Sequence, residues 1–596
     1  MHEDEILGKA YDARLMRRLL TYLLPYKWHA AAALAAILGH SALQLAPPYL
    51  TKIAIDEHIA AGRLEGLGLV AATYLAVLIG AFALEYTQTY LMQLTGQRIM
   101  FDLRMAIYGR LQELDVRFYD RNPVGRLMTR VTTDVDVLNE LFAGGVVAVF
   151  GDVFTLAGIM IVMLVIDWQL ALVSFAVLPL IAVVTQWFRR NVRESYRTVR
   201  MWIARINAFL QENITGMPTV QLFRREALNY RRFDEINAKH RDANIDSIFY
   251  YAVFYPSIEL IGSMAAAIIL WAGGLRVMSD TLTLGVLVAF IQYSSRFYQP
   301  ISDLSEKFNI LQSAMASSER IFKLLDEPVT ITSPPAPKRR DPSKPPHIRF
   351  DHVWFAYNDE DYVLKDVTFE VAPGERVGIV GATGSGKTTI VNLLMRFYDV
   401  TRGRILIDGI DVRELALEDV RRMIALVLQD VHLFSGTIEA NIRLGEDQID
   451  ESAIEQAAAA VGANRFIESL PERGATVLGE RGASLSVGQK QLLSFARALA
   501  FDRPVLVLDE ATSSVDTETE LAIRKALTAL MRGRTTLAIA HRLSTIQDMD
   551  RILVLHKGVL RESGTHQELL AARGIYYKLF QLQFRRGLPE PAEKTV

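Results

Sequence analysis

Long uncharged stretches fill the first half of the chain, and they limit what it can fold into more than any other feature. WHAAAALAAILGHSALQLAPPYL (28–50) and GLGLVAATYLAVLIGAFALEY (66–86) are each long enough to cross a bilayer as a helix. So are LFAGGVVAVFGDVFTLAGIMIVMLVI (141–166) and ALVSFAVLPLIAVVTQWF (171–188), which only DWQL separates. A fifth stretch covers about 254–275 and a sixth about 284–297, the sixth interrupted by Gln292 and Arg296. Hydrocarbon offers no partner to a backbone N–H or C=O, so spans of this kind are helices. The expectation is a six-helix, all-α transmembrane domain.

The basic residues orient it. Arg98, Arg104, Arg110, Arg117, Arg121, Arg126 and Arg130 crowd the segment between the second and third spans, and 189–241 is richer still. The connections around DEHIAAGRLEG, DWQL and RVMSDTLTLG are short and nearly free of bases. Lys and Arg collect on the cytoplasmic side, so both termini and both long loops are expected there. Those loops keep a helical period with few breakers, and the membrane helices should run on into the cytoplasm. Turns near FYDRNPVG and NITGMPT would form the tips. The first residues, MHEDEILGKAYDARLMRRLL, lack the basic start, apolar core and cleavage site of a secretory signal. Residues 15–24 read as an amphipathic helix along the membrane surface.

Bulk composition narrows the chemistry. A formal charge of −2 gives no field that would gather nucleic acid. With no cysteine there is no disulfide, thiolate or Cys-based zinc site. From Pro328 the run PVTITSPPAPKRRDPSKPP marks a linker. Beyond it RVGIVG, IALVLQ and VLVLDE are short buried-strand patterns alternating with helices. The expected organisation is an interfacial segment (1–26), a membrane domain (27–325), a linker (326–347), an α/β P-loop domain with a helical subdomain (348–585) and a tail (586–596).

That α/β half carries phosphate chemistry. GATGSGKT (381–388) matches G-x-x-x-x-G-K-[ST] and lies between a strand and a helix, the context the motif needs. Its glycines let backbone N–H groups face a phosphate, so Gly381, Thr383, Gly384, Ser385, Gly386 and the following Thr389 are nucleotide-binding candidates. Lys387 would reach the β- and γ-phosphates and Thr388 would ligate Mg²⁺. Asp509, ending the strand VLVLDE, can hold Mg²⁺, and Glu510 can accept a proton from an attacking water. A second site of anion-binding design, LSVGQ (485–489), sits about a hundred residues on, just before a helix.

Taken in order, VWFAY, GATGSGKT, LVLQD, LSVGQ, VLVLDE, SSVD and AIAHR resemble the nucleotide-binding domain of ATP-binding cassette (ABC) transporters, over about 348–580. Six spans ahead of one cassette look like an exporter-type half-transporter of the bacterial multidrug or lipid kind. The resemblance implies ATP and Mg²⁺ as ligands and an ATPase coupled to transport. Tyr357 would stack on adenine; Gln429 would reach Mg²⁺ and the attacking water; Asp516 would link two active sites. His541 would contact the γ-phosphate and hold Glu510 in place, while TVLGERG (476–482) would touch the membrane-domain tips. LSVGQ would be the signature sequence, usually LSGGQ, and would face the phosphate loop of a second cassette. Ser486 and the Gly488 N–H would then donate to the partner's γ-phosphate, with Gln489 near the ribose. Val487 departs from the usual glycine. Catalysis is expected from Glu510, His541, Gln429 and Lys387, with metal held by Thr388, Gln429 and Asp509.

The implied partners are a second half-transporter, membrane lipids and an amphipathic cargo, drug or lipid, in a bacterial inner membrane. Intact Glu510 and His541 favour a homodimer and also suit one half of a heterodimer dedicated to a lipid, peptide or metabolite. An ATP-gated channel or non-transporting membrane ATPase is the reading from another class. The tips at 118–124 and 213–219 are expected to dock on the cassettes. Gln44, Glu85, Asp152, Glu259, Gln292 and Arg296 either line a cargo cavity or pair with one another. The aromatic residues Tyr251, Phe254, Tyr255, Phe290, Tyr293 and Phe297 either wall that cavity or pack helices together.

Overall fold

The computed structural model describes residues 12–358, 360–509, 517–539 and 546–585. They form two compact units. One comprises the described residues up to Gln112 together with Val124–Glu327; the other comprises Glu113–Pro123 and the described residues from Pro328 onward.

The first unit is helical. Helices α1 (Ala13–Leu23), α2 (Lys27–Ile53) and α3 (Leu67–Glu113) lead to the tip helix α4 (Val116–Arg121), which belongs to the second unit. The chain returns through α5 (Val124–Val131), α6 (Thr133–Glu140), α7 (Val146–Ile166), α8 (Trp168–Phe175) and α9 (Leu178–Thr215). It ends with the second tip α10 (Met217–Leu222), then α11 (Glu226–Met278) and α12 (Leu284–Leu325). The 47 residues of α3 rise about 70 Å at 1.5 Å each, more than twice the apolar thickness of a bilayer. Leu75, Ile79, Phe82 and Trp271 are exposed on α3 and α11. Lipid would solvate such a belt; water would not.

Five helical runs are long and apolar enough to cross a membrane: Ala13–Ile59, Leu67–Glu113, Val124–Ile166, Trp168–Thr215 and Glu226–Met278. The sixth expected span, the start of α12, falls short because Gln292, Ser294, Ser295 and Arg296 dilute it. Its inner face needs no lipid. Ala289, Phe290 and Tyr293 are wholly buried in a cluster with Met163, Leu170 and Ile269 of α7, α8 and α11. Most of the aromatic set resolves the same way: Phe254, Phe290, Tyr293 and Phe297 are buried packing residues, and Tyr255 is exposed.

Asp12 caps α1, accepting the Arg14 N–H at 2.7 Å. Arg18 then forks onto Asp326 at 2.5 and 2.7 Å and stacks over Phe322, tying α1 along the end of α12. Near the opposite ends, Asp167 caps α8 and accepts a fork from Arg276 at 2.7 and 2.8 Å.

The second unit holds two main sheets. Strands β1 (Ile348–Ala356), β2 (Tyr362–Val371), β4 (Arg402–Ile407) and β5 (Ile410–Asp411) form an antiparallel sheet in the order β2-β1-β4-β5. The other runs β12-β11-β3-β10-β9-β6, from β3 (Arg376–Val380), β6 (Ile424–Val427), β9 (Val505–Asp509), β10 (Thr535–Ile539), β11 (Arg551–His556) and β12 (Val559–Gly564). All its pairings are parallel except β11 with the edge strand β12. Strands covered on both faces read as continuous apolar runs, and β9 and β10 are buried at every residue. Helix α13 (Lys387–Leu394) follows β3, and α14 (Leu417–Arg422) precedes β6. A helical subdomain follows: α15 (Ile438–Arg443), α16 (Glu451–Ala460), α17 (Asn464–Glu468) and α18 (Val487–Ala500), around Ile442, Ile454, Leu492 and Phe495. The two-residue strands β7 (Gly436–Thr437) and β8 (Val477–Leu478) pair beside it. Helices α19 (Thr517–Met531), α20 (His566–Ala572) and α21 (Ile575–Arg585) complete the unit.

The proline-rich linker is pinned inside this unit. Asp115 accepts the Thr330 and Ile331 N–H groups at 2.8 and 3.2 Å, and Arg340 bonds Asp408 at 2.8 Å.

Candidate nucleotide-binding site

The phosphate loop leaves β3 at its C-terminal end and turns into α13. Two glycines are required there. A Cβ on Gly381 would lie 2.3 Å from the Leu555 carbonyl and 2.5 Å from Ser385 Oγ. Gly386, with φ of +100°, would bring a Cβ within 2.6 Å of Leu364. Only glycine meets both demands. Thr383 and Gly384 are exposed on the loop.

The loop wraps around Lys387. This residue is 6% exposed, and its ammonium donates to the Gly381 and Ala382 carbonyls at 3.0 and 3.2 Å. Burial pushes its pKa down, against the opposing pull of the Asp509 charge. Asp509 is pushed up by its own burial, with Lys387 opposing. The hydroxyl of Ser385 is buried without a hydrogen-bond partner. A buried donor in that state is costly. A loop that leaves Ser385 Oγ and one ammonium N–H without acceptors fits a polyanion. Thr388 is exposed at the first turn of α13, where a hydroxyl could ligand a cation, whereas Thr389 is buried.

Sheet order explains what stands beside the loop. Strand β10 lies between β3 and β9, so Ile539 pairs with both Ile379 and Asp509. Strand β6 flanks β9, Val427 opposite Leu508, and Gln429 follows it at the same edge, exposed. Lys387, Asp509 and Gln429 thus gather at one end of the parallel sheet. Glu510, Asp516 and His541 lie outside the described residues.

Tyr357 follows β1. Its hydroxyl is 3.2 Å from Thr389 Oγ1 and accepts from Asn392 at 3.3 Å. Its ring meets those of Phe355 and Tyr398 edge-on, with centroids at 4.8 and 5.1 Å. Tyr398 has no local signature in the sequence, yet it joins this aromatic group to the tip helix α4. Its hydroxyl donates to Asp120, and burial together with that bond raises its pKa. From the same helix Arg117 donates to the Tyr357 carbonyl at 3.4 Å.

The signature residues stand apart from this group. Ser486 caps α18: its hydroxyl accepts the Gln489 N–H at 3.2 Å, while the Gln489 side chain accepts the Ser486 N–H at 2.9 Å. Gly488 is buried and Val487 exposed, on a helix that packs chiefly on α15, α16, α19 and β6. Among the described residues no hydrogen bond joins the signature to the phosphate loop of its own chain.

Comparison with known proteins matches this arrangement twice over. Residues 31–301 fit the ABC transporter transmembrane region, and residues 364–513 fit the ABC transporter family. An uncharacterized ABC transporter ATP-binding protein, YknV of Bacillus subtilis, is 38% identical over 98% of this chain and 97% of its own. The chain belongs to the ABC transporter family. An ATP-dependent lipid A-core flippase of Syntrophus aciditrophicus is 38% identical over 96% of this chain and 95% of its own. A bacterial Atm1-family ABC exporter solved with ATP bound superposes with a TM-score of 0.76 at 27% identity, covering 97% of this chain and all of that one. This ABC exporter is thus an integral membrane protein that binds and hydrolyses ATP. With one membrane unit and one cassette it is half of a transporter and works as a dimer.

Proposed function

We propose that two copies of this chain export amphipathic compounds, lipids or drugs, across a bacterial inner membrane, with both termini and the cassettes in the cytoplasm. The observation that carries the proposal is the placement of Glu113–Pro123. This tip of the first long loop joins the compact unit of the cassette, through Asp120 to Tyr398 and Asp115 to Thr330. Movement of the cassette would therefore pull directly on α3 and α5. The flippase relative supports a lipid-like cargo.

In this reading Gly381, Thr383, Gly384, Ser385, Gly386, Lys387 and Thr389 cradle the phosphates and Tyr357 receives the adenine. Thr388, Gln429 and Asp509 hold Mg²⁺, which when bound neutralises phosphate charge. Glu510 takes the proton of the attacking water, His541 and Gln429 position that water, and Asp516 links the two sites. Ser486, Gly488 and Gln489 complete the site of the second copy. Nucleotide held between two cassettes favours their closed pairing, and loss of its terminal phosphate releases them. The cytoplasmic helices carry that change into the membrane.

The test is transport by the purified chain in vesicles, with Glu510→Gln alongside. Wild-type protein should accumulate a lipophilic probe only with ATP. Glu510→Gln should bind ATP yet lose turnover and accumulation by at least about a hundredfold. Near-normal turnover in that variant would remove the catalytic assignment, and turnover without accumulation would remove the export reading.

A further inference from the structure

Between Gln429 and β7 the chain runs through 430–435 without helix or strand, so its backbone groups need partners from elsewhere. Asn441 of α15, only 2% exposed, supplies three bonds. Its Oδ1 accepts the Phe434 N–H at 2.8 Å, and its Nδ2 donates to the Phe434 and Thr437 carbonyls at 2.8 and 3.1 Å. Leu433 is buried in the core of the helical subdomain, while Phe434 is exposed.

Arg497 reaches the same segment from α18. Its Nε donates to the Asn441 carbonyl at 2.9 Å, and Nη1 and Nη2 both point at the His432 carbonyl, at 3.3 and 3.4 Å. The Asn441 carbonyl is among the last four of α15, which a helix leaves short of internal donors. Among the described residues no carboxylate lies within ion-pair distance of Arg497. Carbonyl dipoles answer its charge instead, and burial pushes its pKa down. Neutral carbonyls repay little of the cost of burying a cation. What the planar fork fixes is position.

Gln429 lies between two anchors. Val427, two residues behind it, pairs in β6 opposite Leu508, and His432, three residues ahead, is held by Arg497. Helix α18 serves both anchors, because it packs on β6 and carries Arg497. The same helix starts beside Ser486 and is buried through Leu492, Leu493, Phe495 and Ala496, so its two ends move together. Arg497 stands ten residues beyond Val487 (497 − 487), about 15 Å along the axis.

We propose that Arg497 is a positioning residue for Gln429. It moors the segment after Gln429 to the signature helix, so that Gln429 of one chain is set by the helix whose start serves the second copy. This rests on the roles given above to Gln429 and Ser486.

The experiment uses the full chain in lipid discs. It measures nucleotide affinity, turnover and the Mg²⁺ concentration for half-maximal turnover in Arg497→Gln, Arg497→Lys, Gln429→Ala and each Arg497 variant combined with Gln429→Ala. Arg497→Gln should keep affinity within about twofold, lower kcat about tenfold and raise the Mg²⁺ requirement about threefold. Arg497→Lys should fall between, retaining charge without the fork. On the Gln429→Ala background Arg497→Gln should cost less than about twofold, because a residue that acts through another then has nothing to act on. An equal loss on both backgrounds overturns the proposal, since support of the fold alone does not depend on Gln429. An unchanged kcat in Arg497→Gln overturns it too. If Arg497→Gln does not fold, Arg497→Lys carries the same comparison. The wild type gives a further check: its Phe434 amide should exchange at least about tenfold slower than an open loop, and exchange at the open rate overturns the brace. Gln429→Ala with wild-type turnover and Mg²⁺ requirement removes the reading of Gln429 itself, and the proposal with it.

Discussion

The phosphate loop and the signature each set donors at the start of a helix, but one is unfinished inside its own chain and the other is complete. The loop buries Lys387 behind its own carbonyls and leaves Ser385 Oγ without a partner. The signature lies open, and Ser486 and Gln489 satisfy each other across the first turn of α18. A buried site with unmet donors gains when an anion arrives. An exposed, self-capped helix start gains little until something brings a phosphate against it. On the proposed assignment, nucleotide affinity belongs to the loop, and turnover needs the signature of a second copy.

The sharpest way to break that contrast is Lys387→Ala. Removing the loop's buried ammonium should lower ATP affinity by about a hundredfold or more, read with a fluorescent nucleotide on the intact protein. Unchanged affinity would show that the loop does not hold the phosphates. Ser486→Ala should do less, and differently. Binding to the undimerised chain should hold within about twofold while turnover falls about tenfold, as for loss of one transition-state donor. Alanine also removes a cap worth about 1 kcal/mol. Ser486→Asp separates the two effects, because aspartate caps a helix equally well yet repels phosphate. It should lower turnover further still. Affinity and turnover falling together in Ser486→Ala would place both halves in one chain.

Much of this was legible because the motifs are local. Gly381, Gly386 and Lys387 occupy a strand–loop–helix context in which few other residues could serve. Ser486 and Gln489 also spell S-x-x-Q, the pattern of a reciprocal cap, although the family resemblance put Gln489 near a ribose. What stayed hidden is tertiary. Tyr398 and Asp120 are 278 positions apart, and nothing in either neighbourhood announces their bond. The start of α12 reads as a weak span because Gln292, Ser295 and Arg296 interrupt it, yet Phe290, Tyr293 and Phe297 bury against α7, α8 and α11. The two loop tips look alike in sequence. The first is bonded within the cassette unit, whereas at the second Ile214, Leu222 and Phe223 are exposed on the helical unit. Whether a tip finds its partner in the same chain is set by assembly, which no local pattern encodes.

The smallest effect tests the one departure from the usual signature. Val487 occupies the first position of α18 and is 59% exposed, so its side chain holds little of the fold together. Val487→Gly would empty no cavity. It would trade a β-branched residue for glycine at the first helical position, at a cost below the roughly 1 kcal/mol of a helix interior. ATPase activity should then stay within about twofold of wild type, as for exposed positions generally. A tenfold rise would mean that the isopropyl group stands between the Gly488 N–H and an incoming phosphate, and a steady-state assay across protein concentrations would locate the gain. A gain at every concentration would place the obstruction in the closed site, whereas one confined to dilute protein would place it in the approach of two copies. In either case the signature would be less finished than its capping bonds suggest, and the contrast with the phosphate loop would narrow.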